Sequence, residues 1–496
     1  MRVVVIGAGF GGLSAACHLA GRGHEVVVVE REDRAGGRVA VVSDNGYTLD
    51  CGATVLTMTG ILAEVFRAAG TTLDEHLTLR PLDPMYRATF PGQPELLVRH
   101  GRESMRQEID TKCGATEALA FDRFCDWLTD LYRLELPHFI DRNFDSPLDL
   151  AWPLGPLVSL LRLGGLRKLD RVVRSYFHDE RLQKLFSFQA MYAGLSPFDA
   201  LAVYGVITYM DTVEGVYFPE GGMGAIGPAL AAAAQMAGAT FQYSSTVERI
   251  VRAPGTNGAV RGVRLTTGEV IGADAVVANP DLPVAYRTLV PTLDAPRVAR
   301  RGEYSPSCAL WVAGVRGTLP SDAAHHNIHF GGQWREAFDA LLKNGTRMPD
   351  PSILVTSHSA TDPSLAPPGC STLYVLEPTP NLDGNIDWDR DRDAIRQSII
   401  ARVAGLGYPV EVEAEVWFDP TTWEAQGMER GTPFGLSHRF FQTGPFRPSN
   451  VAAKAPGLYF VGSSTVPGVG VPMVLLSGRL AADRVEGKRP SVGASA

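Results

Sequence analysis

RVVVIGAGFGGLSAACHLAGRGHEVVVVE, residues 2–30, reads as a β-branched strand, a glycine turn, a helix and a second β-branched strand closed by an acid. The pattern predicts a complete βαβ unit. Gly7 permits the tight turn after the first strand, Gly9 lets the backbone come close to a pyrophosphate, and Gly12 lets the helix lie against the sheet. The helix start offers free N–H groups and the positive end of its dipole, both suited to phosphates. Glu30 follows Gly12 by 18 residues. At the end of the second strand its carboxylate can accept hydrogen bonds from both ribose hydroxyls and would repel a 2′-phosphate. Strand, turn, helix and acid together predict a Rossmann-like dinucleotide site, for FAD or NAD.

The rest of the chain bounds what such a site can serve. With 496 residues it exceeds one hydrophobic core, so two interleaved domains are expected. A net charge of -8, with no Lys/Arg block, argues against nucleic acid as a partner. The six cysteines are scattered, with no C-x-x-C pair and no zinc spacing, which fits a reducing, cytosolic setting and no metal. The first apolar run breaks at Gly7, too early for a secretory signal. No apolar run is long enough to cross a bilayer, so any membrane contact is expected to be peripheral.

Beyond Glu30, residues 31–38 (REDRAGGR) bring Gly36, Gly37 and Arg38, and residues 47–54 (YTLDCGAT) bring Gly52, Ala53 and Thr54. From about residue 60 to 214 apolar residues recur at three and four spacing, as in 121–136 and 181–191, and helices are expected throughout. Strand character returns at 241–251, and 262–270 (GVRLTTGEV) predicts a hairpin around Thr267 and Gly268. Residues 274–279 (DAVVAN) read as a short buried strand and 457–462 (GLYFVG) as the last one. Ligands sit beyond the carboxyl ends of strands in such sheets, which places residues 463–473 at the cofactor. The fold class is therefore α/β, a Rossmann-like domain with an interleaved α+β substrate domain. The expected dinucleotide-binding parts are 1–75, 215–285 and 450–490, the substrate parts 76–214 and 286–449, and the tail 491–496.

Two patterns invite misreading. Residues 222–227 (GMGAIG) also fit G-x-G-x-x-G, but Pro219 interrupts the lead-in, no β-branched strand precedes them, and Pro228 stands early in the following helix. A second dinucleotide site is not expected there. His325, His326 and His329 lack a neighbouring carboxylate or cysteine to complete a metal set, and a surface or loop role is expected for them.

Residues 462–479, GSSTVPGVGVPMVLLSGR, resemble the closing motif of bacterial phytoene desaturases and their carotenoid-modifying relatives, in the FAD-dependent amine oxidase superfamily. Residues 31–38 and 47–54 resemble the elements that follow the second strand in that superfamily. Residues 215–226 (GVYFPEGGMGAI), 304–308 (YSPSC) and 431–445 (GTPFGLSHRFFQTGP) are similar to the same family, so the resemblance runs from about residue 2 to 485. It implies FAD rather than NAD. It implies that Gly36, Gly37 and Arg38 lie against the diphosphate, that Gly52, Ala53 and Thr54 approach the flavin, and that Val247 gives a backbone contact to adenine. Gly462, Ser463, Gly470, Val471, Pro472 and Met473 are then expected at the isoalloxazine and ribityl chain. The helix beginning at Val471 would face the flavin's electron-rich pyrimidine edge.

The activity implied is FAD-dependent desaturation of a carotenoid precursor, phytoene first among them, by hydride transfer to flavin N5. Alternatives are a carotene isomerase, a desaturase or ketolase acting on a later carotenoid, and a non-enzymatic isoprenoid escort; the last predicts a degraded flavin site. The partners expected are a long apolar polyene, a membrane surface, and a quinone or oxygen as electron acceptor. The oligomeric state is open. No residue is assigned as catalytic base: His438 and Glu220 lie in family-like stretches, where ordinary structural hydrogen bonds are the competing reading. Residues 146–172 hold Trp152, many leucines and four basic residues, a composition suited to interfacial docking or to a core helix pair.

Overall fold

A computed structural model describes residues 1–488 other than 152 and 256. Trp152 and the tail from 489 onward, which carry two of the expectations above, lie outside the described residues.

Val3, Val4 and Val5 are fully buried, as a strand covered on both faces requires. Their strand, Arg2–Ile6, pairs in parallel with Glu25–Val29 on one side and Ala275–Ala278 on the other. Thr240–Gln242 and Leu458–Phe460 extend the sheet at its two edges, so the order is Leu458–Phe460, Ala275–Ala278, Arg2–Ile6, Glu25–Val29, Thr240–Gln242. Five strands from separated stretches of chain thus build one parallel sheet, and the polypeptide leaves it and returns. The first helix, Phe10–Gly21, packs against the last, Val471–Val485. That crossing is close: a Cβ on Gly478 would lie 2.6 Å from both the Gly11 carbonyl oxygen and the Ala15 nitrogen.

Val247–Arg252, Val260–Leu265 and Val270–Gly272 form a three-stranded antiparallel sheet with the expected turn at Thr267 and Gly268. A seven-stranded sheet makes the second layer, in the order Glu411–Phe418, Ser307–Arg316, Cys370–Thr379, Ile353–Thr356, His326–His329, Tyr86–Phe90, Gln93–Val98. Its last two strands correct the expectation of helix from 60 to 214. Tyr86, Ala88 and Phe90 alternate inward along the pleat, a period of two inside a region otherwise at 3.6. Leu79–Pro81 is a further short strand, paired with Tyr217–Pro219. The longest helix, Ala115–Glu135, runs into a wide π turn over Leu136–Ile140.

The histidines also differ from expectation. His325, His326 and His329 are buried in or beside a strand rather than on a surface loop. Nδ1 of His325 meets Thr361 and Nδ1 of His326 meets Thr356, while both ring nitrogens of His329 find partners, Thr89 and Tyr408; Nε2 of His325 and of His326 is buried without a partner among the described residues. Burial holds all three below the usual imidazole range, His326 down to about 3 and His329 to about 4. Among the described residues no His, Cys, Asp and Glu cluster could hold a metal. At 222–227, Met223 and Gly224 donate their N–H groups to the Asp50 carboxylate at 2.7 and 2.9 Å. The chain's own carboxylate therefore occupies the place an anion would take. No described helix is long and apolar enough to cross a membrane.

Candidate active site

A cavity of about 1350 Å³ runs between the two layers. One end is a glycine-lined cradle against the parallel sheet, and the other is an apolar arm reaching Leu150, Leu160, Phe440 and Phe446. Of the residues singled out from sequence, Gly7, Gly9, Glu30, Gly36, Gly37, Arg38, Gly52, Ala53, Thr54, Val247, Gly462, Ser463, Gly470, Val471, Pro472 and Met473 all line it. Gly12 does not. A Cβ there would lie 2.1 Å from the Gly7 carbonyl oxygen, so Gly12 sets how closely the helix packs on the strand.

The cradle is built from turns and helix starts. Gly7 takes φ +93° and donates its N–H to Val29 at 2.8 Å, holding the turn against the neighbouring strand. Gly9, at the N-cap of the helix that follows, offers no side-chain cap, and Gly9, Phe10 and Gly11 open onto the cavity at its first turn. Glu30, 6% exposed, accepts from the N–H groups of Ala8 and Glu32. Both of its oxygens are anchored, and each carboxylate oxygen keeps a second lone pair for a ribose hydroxyl. Gly37 lies so near Gly9 that a Cβ would come within 2.8 Å of its Cα. Arg38 donates to the Pro433 carbonyl at 2.9 Å and to Ser463 Oγ at 2.7 Å, tying the N-terminal loop to the C-terminal motif. Thr54 Oγ1 pairs with His358 at 2.8 Å, and the Gly462 N–H is held by Ser477. The helix Val471–Val485 starts after Gly470 without a side-chain cap, with its positive end at the cavity.

A dinucleotide fits this donor set. Two helix starts supply N–H groups, a buried carboxylate stands where ribose hydroxyls need an acceptor, and the glycines leave the space side chains would fill.

Sequence reasoning missed several supports. Asn279 Oδ1 accepts from the Gly12 N–H at 3.1 Å and fixes the first helix from the neighbouring strand end. Asp281 accepts from Ser464 and from the Leu282 and Glu429 N–H groups. Arg447, 3% exposed, donates to the carbonyls of Leu436, Gln442, Ser463 and Thr465. Burial lowers its pKa to about 10, outweighing the opposing pull of Tyr204, Tyr304 and Asp281. The Asn-Pro-Asp run after the strand at 275–278 was a cue for the first two; a lone arginine among prolines offered none for the third.

The apolar arm carries few polar groups. Asp211 accepts from Tyr86 at 2.6 Å and from Gln189 at 3.4 Å, and burial raises its pKa to about 6. His438 packs so closely on Gly468 that a Cβ there would meet its Cε1 at 2.1 Å. Its Nδ1 faces Thr443 and its Nε2 faces the Val469 N–H, and burial holds the ring neutral. Glu220 is away from the cavity, ion-paired with Arg80. Tyr204 donates to the His438 carbonyl. Glu135, 5% exposed, lines the cavity with its Oε1 unpartnered.

Residues 10–486 match the family described as Flavin containing amine oxidoreductase. The chain is 45% identical over 495 residues to a phytoene dehydrogenase of Streptomyces griseus, covering 98% of this chain and 95% of that one. It is 37% identical to a zeta-carotene-forming phytoene desaturase of Myxococcus xanthus, covering 98% and 93%. An oxidoreductase from Methanosarcina mazei superposes with a TM-score of 0.62 at 18% identity, over 97% of this chain and 99% of that one, a likeness of fold.

Proposed function

The chain belongs to the family of flavin-containing amine oxidoreductases, and we propose that it uses FAD to desaturate a carotenoid precursor, phytoene first among the substrates. The observation that carries this reading is one continuous cavity that joins a dinucleotide cradle to an apolar arm. When bound, the flavin supplies a two-electron acceptor for an allylic C–H bond. In this reading Glu30 holds the ribose, the helix start after Gly9 and the Gly36, Gly37 and Arg38 turn hold the diphosphate, and Val247 meets adenine. Gly52, Ala53 and Thr54, with Gly462, Ser463, Gly470, Val471, Pro472 and Met473, would hold the flavin ring and its ribityl chain. The side chains of Phe139, Ile140, Val206 and Ile207 line the arm, exclude water and hold an extended hydrocarbon in one orientation.

The same reading places the outer end of the arm at a lipid surface. Leu148, Leu154 and Leu161 are 78%, 58% and 51% exposed, and Phe441 is 71% exposed. Phe440, Phe441 and Phe446 touch one another, and Leu150 lies against Gly444, so this apolar rim surrounds the cavity's outer lining. A rim of this kind suits shallow insertion into one leaflet and delivery of substrate without passage through water. A quinone or oxygen is the electron acceptor in this reading. An intact cradle favours an enzyme over an escort protein.

Coexpression with enzymes that make phytoene, followed by chromatography of the pigments, tests the reaction. New conjugated double bonds are expected; unchanged phytoene would refute the reading, and a product of altered geometry or added oxygen would favour the isomerase or ketolase.

A further inference from the structure

Removing hydrogen from a CH–CH unit needs two acceptors: one for hydride and one for the proton left on the neighbouring carbon. The cradle accounts for the first. For the second, three buried groups line the apolar arm as candidates. Asp211 has both oxygens engaged, by Tyr86 and Gln189. His438 has both ring nitrogens facing partners, Thr443 and the Val469 N–H. Glu135 is different: among the described residues its Oε1 is buried with no hydrogen-bond partner.

An unpaired buried carboxylate is costly, on the order of several kcal/mol, and structures rarely keep one without a use. Burial alone pushes this one well above the usual carboxylate range, so its ionised form binds a proton more tightly than an exposed glutamate does. Its position agrees. Glu135 ends the helix Ala115–Glu135 where the backbone widens into a π turn, a feature that recurs at functional sites. Leu136 and Ile140 of that turn pack in one cluster with Met473, in the first turn of the C-terminal helix assigned above to the flavin. Tyr204, whose hydroxyl is committed to His438, lies near enough to feel the Glu135 charge.

We propose that Glu135 is the catalytic base of the desaturation, which rests on the reaction read in the preceding subsection. The substrate carbon gives up a hydrogen with its electron pair to the flavin, leaving an allylic cation. The adjacent C–H bond then breaks, its electron pair forms the new double bond, and the proton passes to the Glu135 carboxylate, which becomes a carboxylic acid and later yields the proton to water. One CH–CH becomes C=C, and two electrons and two protons are accounted for. Before the proton moves, the carboxylate also faces the positive charge on the chain.

The test uses purified holoprotein with phytoene in liposomes. Wild type must first form desaturated product; if it does not, the reaction itself is misassigned and Glu135 is not at issue. Given an active wild type, Glu135→Gln should lower kcat by about 10²- to 10⁴-fold with KM and flavin content unchanged. Glu135→Asp, which keeps the carboxylate, should recover at least a tenth of the wild-type rate. A second readout is independent of turnover: binding of a phytoene analogue with a tertiary ammonium at the reacting position, followed by protein fluorescence. Wild type should prefer this analogue over phytoene about tenfold or more, and Glu135→Gln should lose the preference. An active Glu135→Gln, a Glu135→Asp no better than Glu135→Gln, or an analogue preference that survives the glutamine change would each overturn the assignment.

Discussion

Gly478→Ala probes the contact on which the cofactor site depends. The added methyl would sit 2.6 Å from the Gly11 carbonyl oxygen and the Ala15 nitrogen, both backbone atoms of the first helix. Ordinary contact begins near 3.4 Å, so the two helices must part by about 0.8 Å, and overpacking of this kind costs about 1–3 kcal/mol. The empty protein can relax by letting the last helix tilt. Binding a dinucleotide between the start of the first helix and the start of the last requires them docked, so the cost falls on the bound state. Flavin affinity should drop by about 5- to 150-fold, the same energy expressed as a ratio. Titrating flavin-stripped protein with FAD and following flavin fluorescence measures it. Gly60→Ala is the control: its Cβ meets nothing within 4 Å in an exposed helical position, and it should leave affinity unchanged. Equal affinity in Gly478→Ala and wild type would refute the claim that both chain ends grip one cofactor.

Glu30→Ala should yield colourless protein, because it removes the acceptor for Ala8 and Glu32 as well as the proposed ribose contact; Glu30→Gln should keep part of the flavin, judged by absorbance. Arg447→Met leaves the carbonyls of Leu436, Gln442, Ser463 and Thr465 without this donor and should lower stability by at least about 1–3 kcal/mol, read as a fall in unfolding midpoint. Asp211 has its folded pKa raised to about 6 from 3.8, so the folded form holds this proton more tightly and the site's contribution worsens as pH rises from about 4 to 6. Asp211→Asn should therefore be more stable than wild type above pH 6, by about 3 kcal/mol at most, and lose that advantage toward pH 4 in denaturant titrations. Leu148→Asp combined with Leu154→Asp should release the protein from liposomes in flotation assays, and unchanged binding would count against the membrane rim.

The cofactor cradle was readable because its chemistry is local: four consecutive β-branched residues, glycines at fixed offsets and an acid at the next strand end each report on their own neighbourhood. The strand at 86–90 was readable too, through the alternation of Tyr86, Ala88 and Phe90, but a period of two over five residues is easily lost inside a long helical stretch. The histidines show the opposite limit. His326 and His329 read as polar and hence exposed, whereas their burial depends on Thr356 and Thr89, contributed by distant strands. Asn279 and Arg447 likewise act on backbone atoms brought near only by the tertiary fold. Glu135 left a trace: Phe124, Leu128, Leu131 and Glu135 follow a four, three, four spacing on one helix face, and the first three are buried. A carboxylate on a buried stripe is the signal, and the cavity it faces is not in the sequence.

The most direct measurement is a single turnover without oxygen. Purified protein carrying oxidised flavin is mixed with phytoene in liposomes, and the flavin band is followed together with the polyene bands. One flavin should bleach for each double bond formed, the two signals moving in step. A flavin that stays oxidised while substrate occupies the arm, or polyene formed without any bleaching, would contradict the account.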